Sequence, residues 1–567
     1  MLPAASRRAL CVVLLLLFGA SAAVSALAAN APVRASDGMV VSQNHIASRI
    51  GVEVLQEGGS AVDAAVATAF ALAVTHPTAG NIGGGGFLVY RPARGKPVAY
   101  DFRETAPTGS HPEMWLEDGE YSFQRHHMSH MSVGVPGTVA GLHMAWKDEG
   151  KLPWKRLVEP SIALARDGIV VSHGLAESLQ RALPRMRKYP ASVAQFSRDG
   201  EPFRPGDRLV QADLAASLER IAEQGPDGFY KGRTAELIVT EMQRGGGLIT
   251  LDDLAGYAPK KRNPVRGSYR GYEVLSMPPP SSGGTILIEM LNVLEGYDLN
   301  RLGFGTRATL HRMTETMRRA YADRARYLGD PDFNPELPVE RLTSKRYADD
   351  LRASIDPEQA SVSRPNEFEW PVESEETTHF SVVDAQRNAV SLTYTLEWGY
   401  GSAIVVPGGG FLLNNEMGDF NAGPGLTNDQ GLIGTPANLA QPGKRMLSSM
   451  SPTILARDGE LFMVTGTPGG RTIINTVLQT ILNVVDHGMS AQAAVDAGRV
   501  HHQWLPDVLY YEDNGFSLDS LNGLRSMGHA LEARGQQGAA EVIVVGEGGV
   551  LEGGVDLRVP DGGAIGY

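Results

Sequence analysis

The feature that most constrains this chain is a pair of alternating segments that begins at Thr377. Polar and apolar residues alternate in residues 377–383 (TTHFSVV) and again in residues 389–397 (AVSLTYTLE). The five residues between them (DAQRN) are typical of a turn, so the pattern predicts a β-hairpin. With the turn centred on Gln386, Thr377 lies opposite Thr395 on one face of the sheet, with about 5 Å between their Cβ atoms.

The polar face of this hairpin has two explanations. Antiparallel sheets often expose one face to water, and the alternation alone favours that explanation. However, residues 355–376 are rich in Pro, Ser and Glu and show no regular period, which predicts an exposed linker. Thr377 stands where this linker ends and a strand pattern starts. Its position therefore favours a functional site on the polar face.

The rest of the chain predicts a mixed α/β protein from its apolar periodicity. We expect strands at 40–42, 87–90 and 461–465, and helices at 45–56, from Ser60 or Asp63 to 74, 177–186, 214–223, 233–242, 285–294, 307–327 and 471–485. The glycine-rich run at 80–86 precedes a strand rather than a helix, so it is not a dinucleotide-binding fingerprint. The sequence also lacks a GxxxxGK[ST] phosphate-binding loop.

Residues 1–28 are typical of a signal peptide. Arg7 and Arg8 form a basic start, residues 11–18 form a short apolar run, and residues 26–28 (ALA) supply a cleavage pattern. The apolar run is too short to span a bilayer well, which disfavours the alternative of an uncleaved anchor. The sequence therefore predicts export to the periplasm or the medium.

Composition excludes several classes of function. Cys11, the only cysteine, lies in the predicted signal peptide, so the mature chain has no thiol nucleophile and no disulfide. Loss of Arg7 and Arg8 takes the net charge from −13 to −15, and an acidic chain repels nucleic acid. The run RHHMSH at 125–130 has no carboxylate at ligand spacing, so we expect no metal there.

Residues 376–383 (ETTHFSVV) resemble the processing site of the γ-glutamyltranspeptidase family. The resemblance covers nearly the whole mature chain. Further matching stretches are GGSAVDAAVATAFALAVTHPTAGNIGGGGF (58–87), DFRETAP (101–107), VGVPGTVAGL (133–142), FLLNNEMGDF (411–420), KRMLSSMSPT (444–453) and GTPGG (466–470).

This resemblance implies the fold and the processing of the chain. The fold is the four-layer αββα sandwich of the N-terminal nucleophile hydrolases, in which two mixed sheets stack centrally and helices lie outside. The chain would cleave itself between Glu376 and Thr377. The products would be a large subunit (29–376) and a small subunit (377–567) that stay together as a heterodimer.

The resemblance makes Thr377 the nucleophile of two reactions. In the precursor its hydroxyl attacks the carbonyl of Glu376, and water then cleaves the resulting ester and frees the α-amine of Thr377. An α-amine has a pKa near 8, so it can accept the proton of the hydroxyl on the same residue. Thr395 would orient that hydroxyl. His379 shares the face, but the family chemistry does not require it as a base, and we expect a structural histidine.

The remaining site residues are also implied by resemblance. Gly469 and Gly470 would form the oxyanion hole at a helix start, although this segment read alone is an ordinary strand-to-helix turn. A γ-glutamyl group carries an α-carboxylate and an α-ammonium, which require an Arg fork with hydroxyls and acidic acceptors. The implied carboxylate-binding residues are Arg103, Ser448 and Ser449, and the implied ammonium-binding residues are Asp419, Glu416 and Glu397.

The implied activity moves a γ-glutamyl group from glutathione or a related compound to water, an amino acid or a dipeptide, with no cofactor or metal. Two positions depart from many members: Glu397 replaces Asn, and Gln430 replaces an aromatic in the lid-like residues 424–434. One alternative is a glutaryl or cephalosporin acylase of the same superfamily, which has no use for ammonium-binding acids. Another is an exported, non-catalytic amino-acid or peptide binding protein, which would remain one chain.

Overall fold

The computed structural model describes residues 30–364, 377–426 and 435–567. The predicted signal peptide, Glu376 and Gln430 lie outside the described residues, and so does most of the lid-like segment. Residues 32–567 form one unit. Within the described ranges, no helix has the length and apolar character needed to cross a membrane.

The described strands form two large sheets and three small ones. In chain order they are β1 (Val33–Ala35), β2 (Met39–Ser42), β3 (Gly85–Arg91), β4 (Val98–Phe102), β5 (Leu116–Glu117), β6 (Glu120–Tyr121), β7 (Ile169–Val170), β8 (Arg208–Leu209), β9 (Lys260–Arg262), β10 (Val265–Tyr269), β11 (Tyr272–Ser276), β12 (Thr378–Val383), β13 (Ala389–Thr395), β14 (Thr453–Arg457), β15 (Glu460–Gly466), β16 (Val500–His501), β17 (Leu509–Glu512), β18 (Leu531–Arg534), β19 (Glu541–Val545), β20 (Leu551–Val555) and β21 (Gly563–Gly566).

The helices cover the outer faces of the sheets. In chain order they are α1 (His45–Gln56), α2 (Ala61–Thr75), α3 (Phe123–His127), α4 (Thr138–Glu149), α5 (Trp154–Asp167), α6 (His173–Met186), α7 (Pro190–Phe196), α8 (Ala212–Gln224), α9 (Asp227–Tyr230), α10 (Gly232–Gly245), α11 (Leu251–Gly256), α12 (Gly283–Glu295), α13 (Leu299–Leu302), α14 (Arg307–Tyr327), α15 (Val339–Leu342), α16 (Lys345–Ala353), α17 (Thr472–Val485), α18 (Ala491–Asp496) and α19 (Leu518–Ser526).

The two large sheets have seven strands each. Their orders are β1-β20-β19-β15-β14-β11-β10 in the first sheet and β21-β2-β12-β13-β3-β4-β9 in the second. Every strand pair within these two sheets is antiparallel. The expectation of mixed sheets is therefore wrong. The reason is that many neighbours are consecutive hairpin strands, such as β12 with β13, and a short turn permits only antiparallel pairing.

Three apolar clusters show how the layers stack. One joins α1, α2 and other helices to the outer face of the second sheet through Phe380, Leu392 and Tyr394. Another joins α12, α14 and α17 to the outer face of the first sheet. The third lies between the sheets and includes Val89 and Val464. The order helix–sheet–sheet–helix confirms the predicted four-layer αββα sandwich.

The predicted elements are confirmed with small shifts at their ends. The helix expected from Ser60 or Asp63 is α2, and Ser60 caps it because its hydroxyl accepts from the Asp63 N–H while the Asp63 carboxylate accepts from the Ser60 N–H. The longest predicted helix has the bounds of α14, and the Thr306 hydroxyl caps its start. Pro184 lies inside α6 without ending it before Met186.

The described part of the predicted linker, residues 355–364, has no regular structure but is not simply exposed. Glu358 is exposed, whereas Ile355 and Ser363 are buried. Contacts that hold this segment to the body of the protein come from distant side chains, which a local composition pattern does not reveal.

Candidate active site

Thr377 lies at the residue before β12, at the start of a central strand. The β12–β13 register places Val383 opposite Ala389 and Ser381 opposite Ser391, which confirms the predicted hairpin register. One step beyond the ladder, the Thr377 hydroxyl donates to the Thr395 hydroxyl over 3.4 Å, and both side chains are buried.

The polar face of the hairpin points toward the other sheet rather than toward water. Ser381 Oγ donates to the Glu541 carbonyl over 3.1 Å, and Ser391 Oγ donates to the Thr465 carbonyl over 2.9 Å. These are bonds between the two central layers. The water-facing explanation for this face is therefore wrong, because the alternation reflects two different buried interfaces.

His379 is fully buried between hydroxyl groups of its own hairpin. Its Nδ1 lies 2.8 Å from Thr393 Oγ1 and its Nε2 lies 3.1 Å from Ser381 Oγ. Burial lowers the pKa of His379 to about 3, so the ring is neutral at ordinary pH. The position at the sheet interface supports the expected structural role.

A pocket that is open to solvent lies beside Thr377, with about 290 Å³ of space between its walls and mouth. Among the described residues, all of the catalytic and substrate-binding residues implied by resemblance except Gly469 line it. The lining residues are Arg103, Thr377, Thr395, Glu397, Glu416, Asp419, Ser448, Ser449, Met450, Gly470 and Ile473. These residues lie far apart in the sequence, and the four-layer packing brings them to one place.

Arg103 forms the centre of the charged wall of this cavity. Its guanidinium is fully buried and makes ion pairs with Glu416 and Asp419. Glu104 Oε2 lies 3.8 Å from Arg103 Nη1. Burial alone would lower the pKa of Arg103, but the charges of Glu416 and Asp419 outweigh it and raise the pKa above its usual value. Arg103 is therefore permanently charged.

Three acidic residues surround the Arg103 guanidinium, namely Glu104, Glu416 and Asp419. Burial is the largest influence on Glu104, and it raises the pKa of that carboxyl to about 8 despite the opposing effect of Arg103. Burial also raises the pKa of Glu416 well above its usual range. Neither oxygen of Glu104 accepts a hydrogen bond from another described residue. The carboxyl groups of Glu104 and Glu416 therefore tend to stay protonated unless a further cation binds beside them.

Glu397 occupies a strained position at the end of β13. Its φ is +76°, a left-handed conformation that is uncommon outside glycine. The Thr395 hydroxyl accepts from the Glu397 N–H over 2.9 Å, and His127 Nδ1 lies 3.2 Å from Glu397 Oε1. The His127 ring stacks on Trp398. These contacts fix where the Glu397 carboxylate points.

The histidines of the 125–130 run have separate partners. His126 Nε2 lies 3.1 Å from the Met417 carbonyl, and His130 Nε2 lies 2.8 Å from Glu241 Oε1. Because His127 contacts Glu397, each of the three histidine rings has a different partner. Sequence reasoning missed the role of His127, although the same run had drawn attention as a possible metal site.

Ser448 and Ser449 are held in place through Arg324, a residue that the sequence did not indicate as part of the site. Arg324 Nη2 donates to Ser449 Oγ over 2.8 Å, and its Nε donates to Ser282 Oγ over 2.7 Å. The Ser282 hydroxyl donates in turn to the Ser448 carbonyl over 2.7 Å. Arg324 therefore positions both Ser448 and Ser449. No pattern within α14 distinguishes it from the other arginines of that helix.

The turn at Gly469 and Gly470 requires glycine. Both residues have positive φ, +129° and +52°, and a Cβ on Gly469 would lie 2.4 Å from Thr472 Oγ1. Thr472 begins α17, and its hydroxyl donates to the Gly469 carbonyl over 2.7 Å. The turn therefore lies at the positive end of a helix, where the helix dipole favours negative charge.

The fold and the position of Thr377 together define the class of the N-terminal nucleophile hydrolases. The chain matches the family model described as gamma-glutamyltranspeptidase over residues 47–567. That match covers more than nine-tenths of the sequence, so the chain belongs to the γ-glutamyltranspeptidase family.

Known proteins resemble the chain over most of its length. The glutathione hydrolase proenzyme of Escherichia coli (strain K12) is 48% identical over 94% of this chain and 93% of that protein. The crystal structure of cephalosporin acylase from Bacillus halodurans has a TM-score of 0.83 at 28% identity, and it covers 95% of this chain and 97% of that chain. The structure of Helicobacter pylori γ-glutamyltranspeptidase has a TM-score of 0.55 at 47% identity, covering 56% of this chain and 91% of that chain.

Proposed function

We propose that this protein cleaves the γ-glutamyl bond of glutathione and related compounds and transfers the γ-glutamyl group to water, an amino acid or a dipeptide. The observation that carries the proposal is the cavity in which Thr377 lies beside Arg103 and the acidic residues Glu397, Glu416 and Asp419. Family membership and the similarity to glutathione hydrolase proenzymes support the same activity.

The nucleophile in this proposal is the Thr377 hydroxyl, which becomes competent when the bond after Glu376 is cut. The new α-amine accepts the hydroxyl proton while the oxygen attacks the γ-carbonyl carbon of the substrate. The leaving amine takes up that proton and departs, and an ester joins the γ-glutamyl group to Thr377. Water or an acceptor amine then attacks the ester and restores the hydroxyl.

The stabilising groups follow from the geometry around Thr377. The Thr395 hydroxyl, 3.4 Å away, orients the attacking oxygen. Backbone N–H groups at Gly469 and Gly470 would stabilise the negative charge of the tetrahedral intermediate, a contribution of about 3 to 4 kcal/mol for one donor in comparable sites. None of these steps requires a metal or a redox cofactor.

The charged wall around Arg103, Glu416 and Asp419, here called the ionic wall, suits the two charges of an amino-acid head group. Arg103 with Ser448 and Ser449 would bind the α-carboxylate, because a guanidinium fork and hydroxyls are its natural partners. Asp419, Glu416 and Glu397 would bind the α-ammonium. Arg103 pairs directly with Glu416 and Asp419, so a zwitterionic head group would replace part of one opposite-charge contact with another.

The processed form in this proposal is a heterodimer of residues 29–376 and 377–567, exported after loss of residues 1–28. Its immediate test is denaturing electrophoresis of the purified protein, followed by mass spectrometry of the smaller chain. We expect two bands and an N-terminus at Thr377. A single band from fully active protein would exclude the mechanism.

The similarity to a cephalosporin acylase favours one competing substrate class. Glutaryl compounds share the side-chain length of a γ-glutamyl group but lack the ammonium. The test is therefore to measure the hydrolysis rates of a γ-glutamyl anilide and a glutaryl anilide under identical conditions. The ionic wall predicts a preference for the γ-glutamyl compound of at least about 100-fold, the scale of leaving buried acids without their cation. Equal rates would favour the acylase.

A further inference from the structure

The His127 ring lies behind a carboxylate that lines the cavity. Its Nδ1 is 3.2 Å from Oε1 of Glu397, and both side chains are buried. An ionised carboxylate can only accept hydrogen bonds, so the ring nitrogen that faces it carries a hydrogen and donates. Among the described residues that line the cavity, Glu397 is included and His127 is not. Any effect of His127 on a bound substrate therefore passes through Glu397.

The position of the His127 ring is fixed by its neighbours. The ring lies between Phe123 and Trp398, with centroid distances of 4.7 and 5.6 Å. Asn415 holds the backbone on both sides, because its Nδ2 donates to the His127 carbonyl over 3.3 Å and its Oδ1 accepts from the Trp398 N–H over 3.2 Å. The end of α3 is thus tied to the segment that carries Glu397.

The turn Glu416–Asp419 packs directly on the contact between His127 and Glu397. A Cβ on Gly418 would lie 2.3 Å from His127 Nδ1 and 2.6 Å from Glu397 Oε1, so a larger residue would push the two side chains apart. Glycine at position 418 therefore leaves room for this contact. Because Gly418 stands between Glu416 and Asp419, the contact lies next to the acids of the proposed ammonium site.

Glu397 differs from the other acids of that site in its partner. Glu416 and Asp419 make ion pairs with the Arg103 guanidinium, and burial raises the pKa of Glu416 well above its usual range. Glu397 instead contacts a ring N–H of His127, and a donated hydrogen bond stabilises the ionised form of a carboxylate. This difference makes Glu397 a suitable charged acceptor for a substrate ammonium.

We propose that His127 is a positioning residue that holds the ionised Glu397 carboxylate toward the α-ammonium of the substrate and so favours γ-glutamyl over glutaryl compounds. This inference rests on the proposed function and adds to it a residue from outside the cavity. The head group is bound in the ground state and in the transition state alike. Loss of the contact should therefore raise KM and leave kcat nearly unchanged.

The test measures KM and kcat of the processed enzyme for a γ-glutamyl anilide and a glutaryl anilide. His127→Phe keeps a ring that can stack on Trp398 but cannot donate to Glu397. We expect it to raise KM for the γ-glutamyl anilide by roughly tenfold, the scale of one hydrogen bond to a charged group. Its kcat, and its KM for the glutaryl anilide, should stay within about twofold of the wild-type values.

A conservative variant separates the donor from the ring. The Nδ2 of an asparagine is as many bonds from Cα as the Nδ1 of a histidine, so His127→Asn keeps an N–H near the Glu397 carboxylate without the ring. It should restore most of the affinity that His127→Phe loses. His130→Phe is the matched control, because it removes a histidine from the same run whose partner, Glu241, does not line the cavity. It should leave both KM values unchanged.

A double variant shows whether His127 acts through Glu397. Glu397→Ala should raise KM for the γ-glutamyl anilide at least as much as His127→Phe does. The double variant should match Glu397→Ala alone, since both changes act on one carboxylate. An undiminished effect of His127→Phe in the Glu397→Ala background would overturn the inference.

The remaining outcomes distinguish this inference from the proposed function. If Glu397→Ala raises KM and His127→Phe does not, the inference is wrong and the proposed function stands. Equal increases for both anilides in His127→Phe would also overturn the inference, because the ring would then serve the fold. If Glu397→Ala leaves KM for the γ-glutamyl anilide unchanged, the proposed ammonium site is wrong and the inference fails with it.

Discussion

The two walls of the cavity differ in how they are built. The hydroxyl wall consists of Thr377 and Thr395, which are 18 residues apart and belong to one hairpin. The ionic wall pairs Arg103 with Glu416 and Asp419, which are 313 and 316 residues away. Strand register alone positions the first wall, whereas the second requires that distant parts of the chain come together.

The walls also differ in their response to protons. Threonine hydroxyls do not titrate in the ordinary pH range, so the hydroxyl wall has no titrating group until the proposed cleavage releases the α-amine of Thr377. In the ionic wall, Arg103 is always charged and lies beside acidic residues. Burial raises the pKa values of two of them, Glu104 and Glu416. The comparison suggests that changes to the hydroxyl wall act on chemistry, while changes to the ionic wall act on substrate choice and pH response.

Thr377→Ala is the strongest test of the hydroxyl wall. Without the hydroxyl the chain should remain uncleaved, and γ-glutamyl turnover should fall by on the order of 10⁴ or more. Electrophoresis and an anilide assay measure the two effects. Thr377→Ser is the control, because it keeps a hydroxyl and should retain slow cleavage. Efficient cleavage of Thr377→Ala would remove Thr377 from its proposed role.

Asp419→Asn tests whether the ionic wall selects the substrate. It removes one charge from the proposed ammonium site while preserving shape, and truncating one partner of a desolvated charge pair between two molecules costs about 2 to 5 kcal/mol. We expect kcat/KM for a γ-glutamyl anilide to fall by roughly 10² to 10³. Hydrolysis of a glutaryl anilide, which has no ammonium, should fall far less. Equal losses for both compounds would mean that Asp419 serves the fold rather than the head group.

Thr395→Val should give a smaller effect confined to chemistry. The variant keeps the size of the side chain but removes the hydroxyl that accepts from Thr377 and from the Glu397 N–H. We expect kcat to fall by roughly tenfold to 100-fold, because the orientation of the nucleophile is lost. KM should change less, because His127 still contacts the Glu397 carboxylate when the Glu397 N–H loses its acceptor. Thr395→Ser should restore most of the activity. A change confined to KM would contradict this assignment.

Glu104→Gln should give the smallest effect, on stability against pH. Glu104 has a folded-state pKa of about 8, above its usual 4.5, because burial disfavours the charge. Between these two values the folded state keeps a proton that the unfolded state has lost, so stability falls as pH rises through that window. The glutamine variant lacks this slope. Its Tm relative to the wild type should increase by about 1 °C per pH unit from pH 5 to pH 8.

Calorimetry at several pH values measures this Glu104 effect. Tyr257→Phe provides a control near the same wall, because its hydroxyl donates to the Arg103 carbonyl and does not titrate in this range. It should lower Tm by a similar amount at every pH. A Glu104→Gln difference that is flat across the range would contradict the inference that burial governs this carboxyl.

The hydroxyl wall could be predicted from the sequence because its geometry is local. A period of two and a five-residue turn fix which side chains of residues 377–383 face those of 389–397, and the observed register is the predicted one. Helix bounds were also predictable where caps exist, as at Thr306 and Ser60. The ionic wall was named only through family resemblance, since no local period links Arg103 to Glu416.

Other contacts could not be predicted for the same physical reason. Arg324 reaches Ser449 across 125 residues, and His127 reaches Glu397 across 270. Residues 355–376 are predicted as an exposed linker because their composition is polar, but Ser363 is buried by partners distant in sequence. Composition describes the solubility of a segment, whereas its burial depends on which side chains the rest of the fold brings to it.

The strand order of the second sheet has a consequence for the lifetime of the protein. Strands β12, β13 and β21 from beyond residue 377 alternate with β2 and β3 from before it, so each half supplies neighbours that the other half needs. A nicked molecule cannot release one half without unravelling a central layer. Mixed with an isotopically labelled batch, the two-chain form should not exchange partners while folded. In the proposed two-chain form, each copy would therefore keep the half with which it was made, and a damaged half could not be replaced.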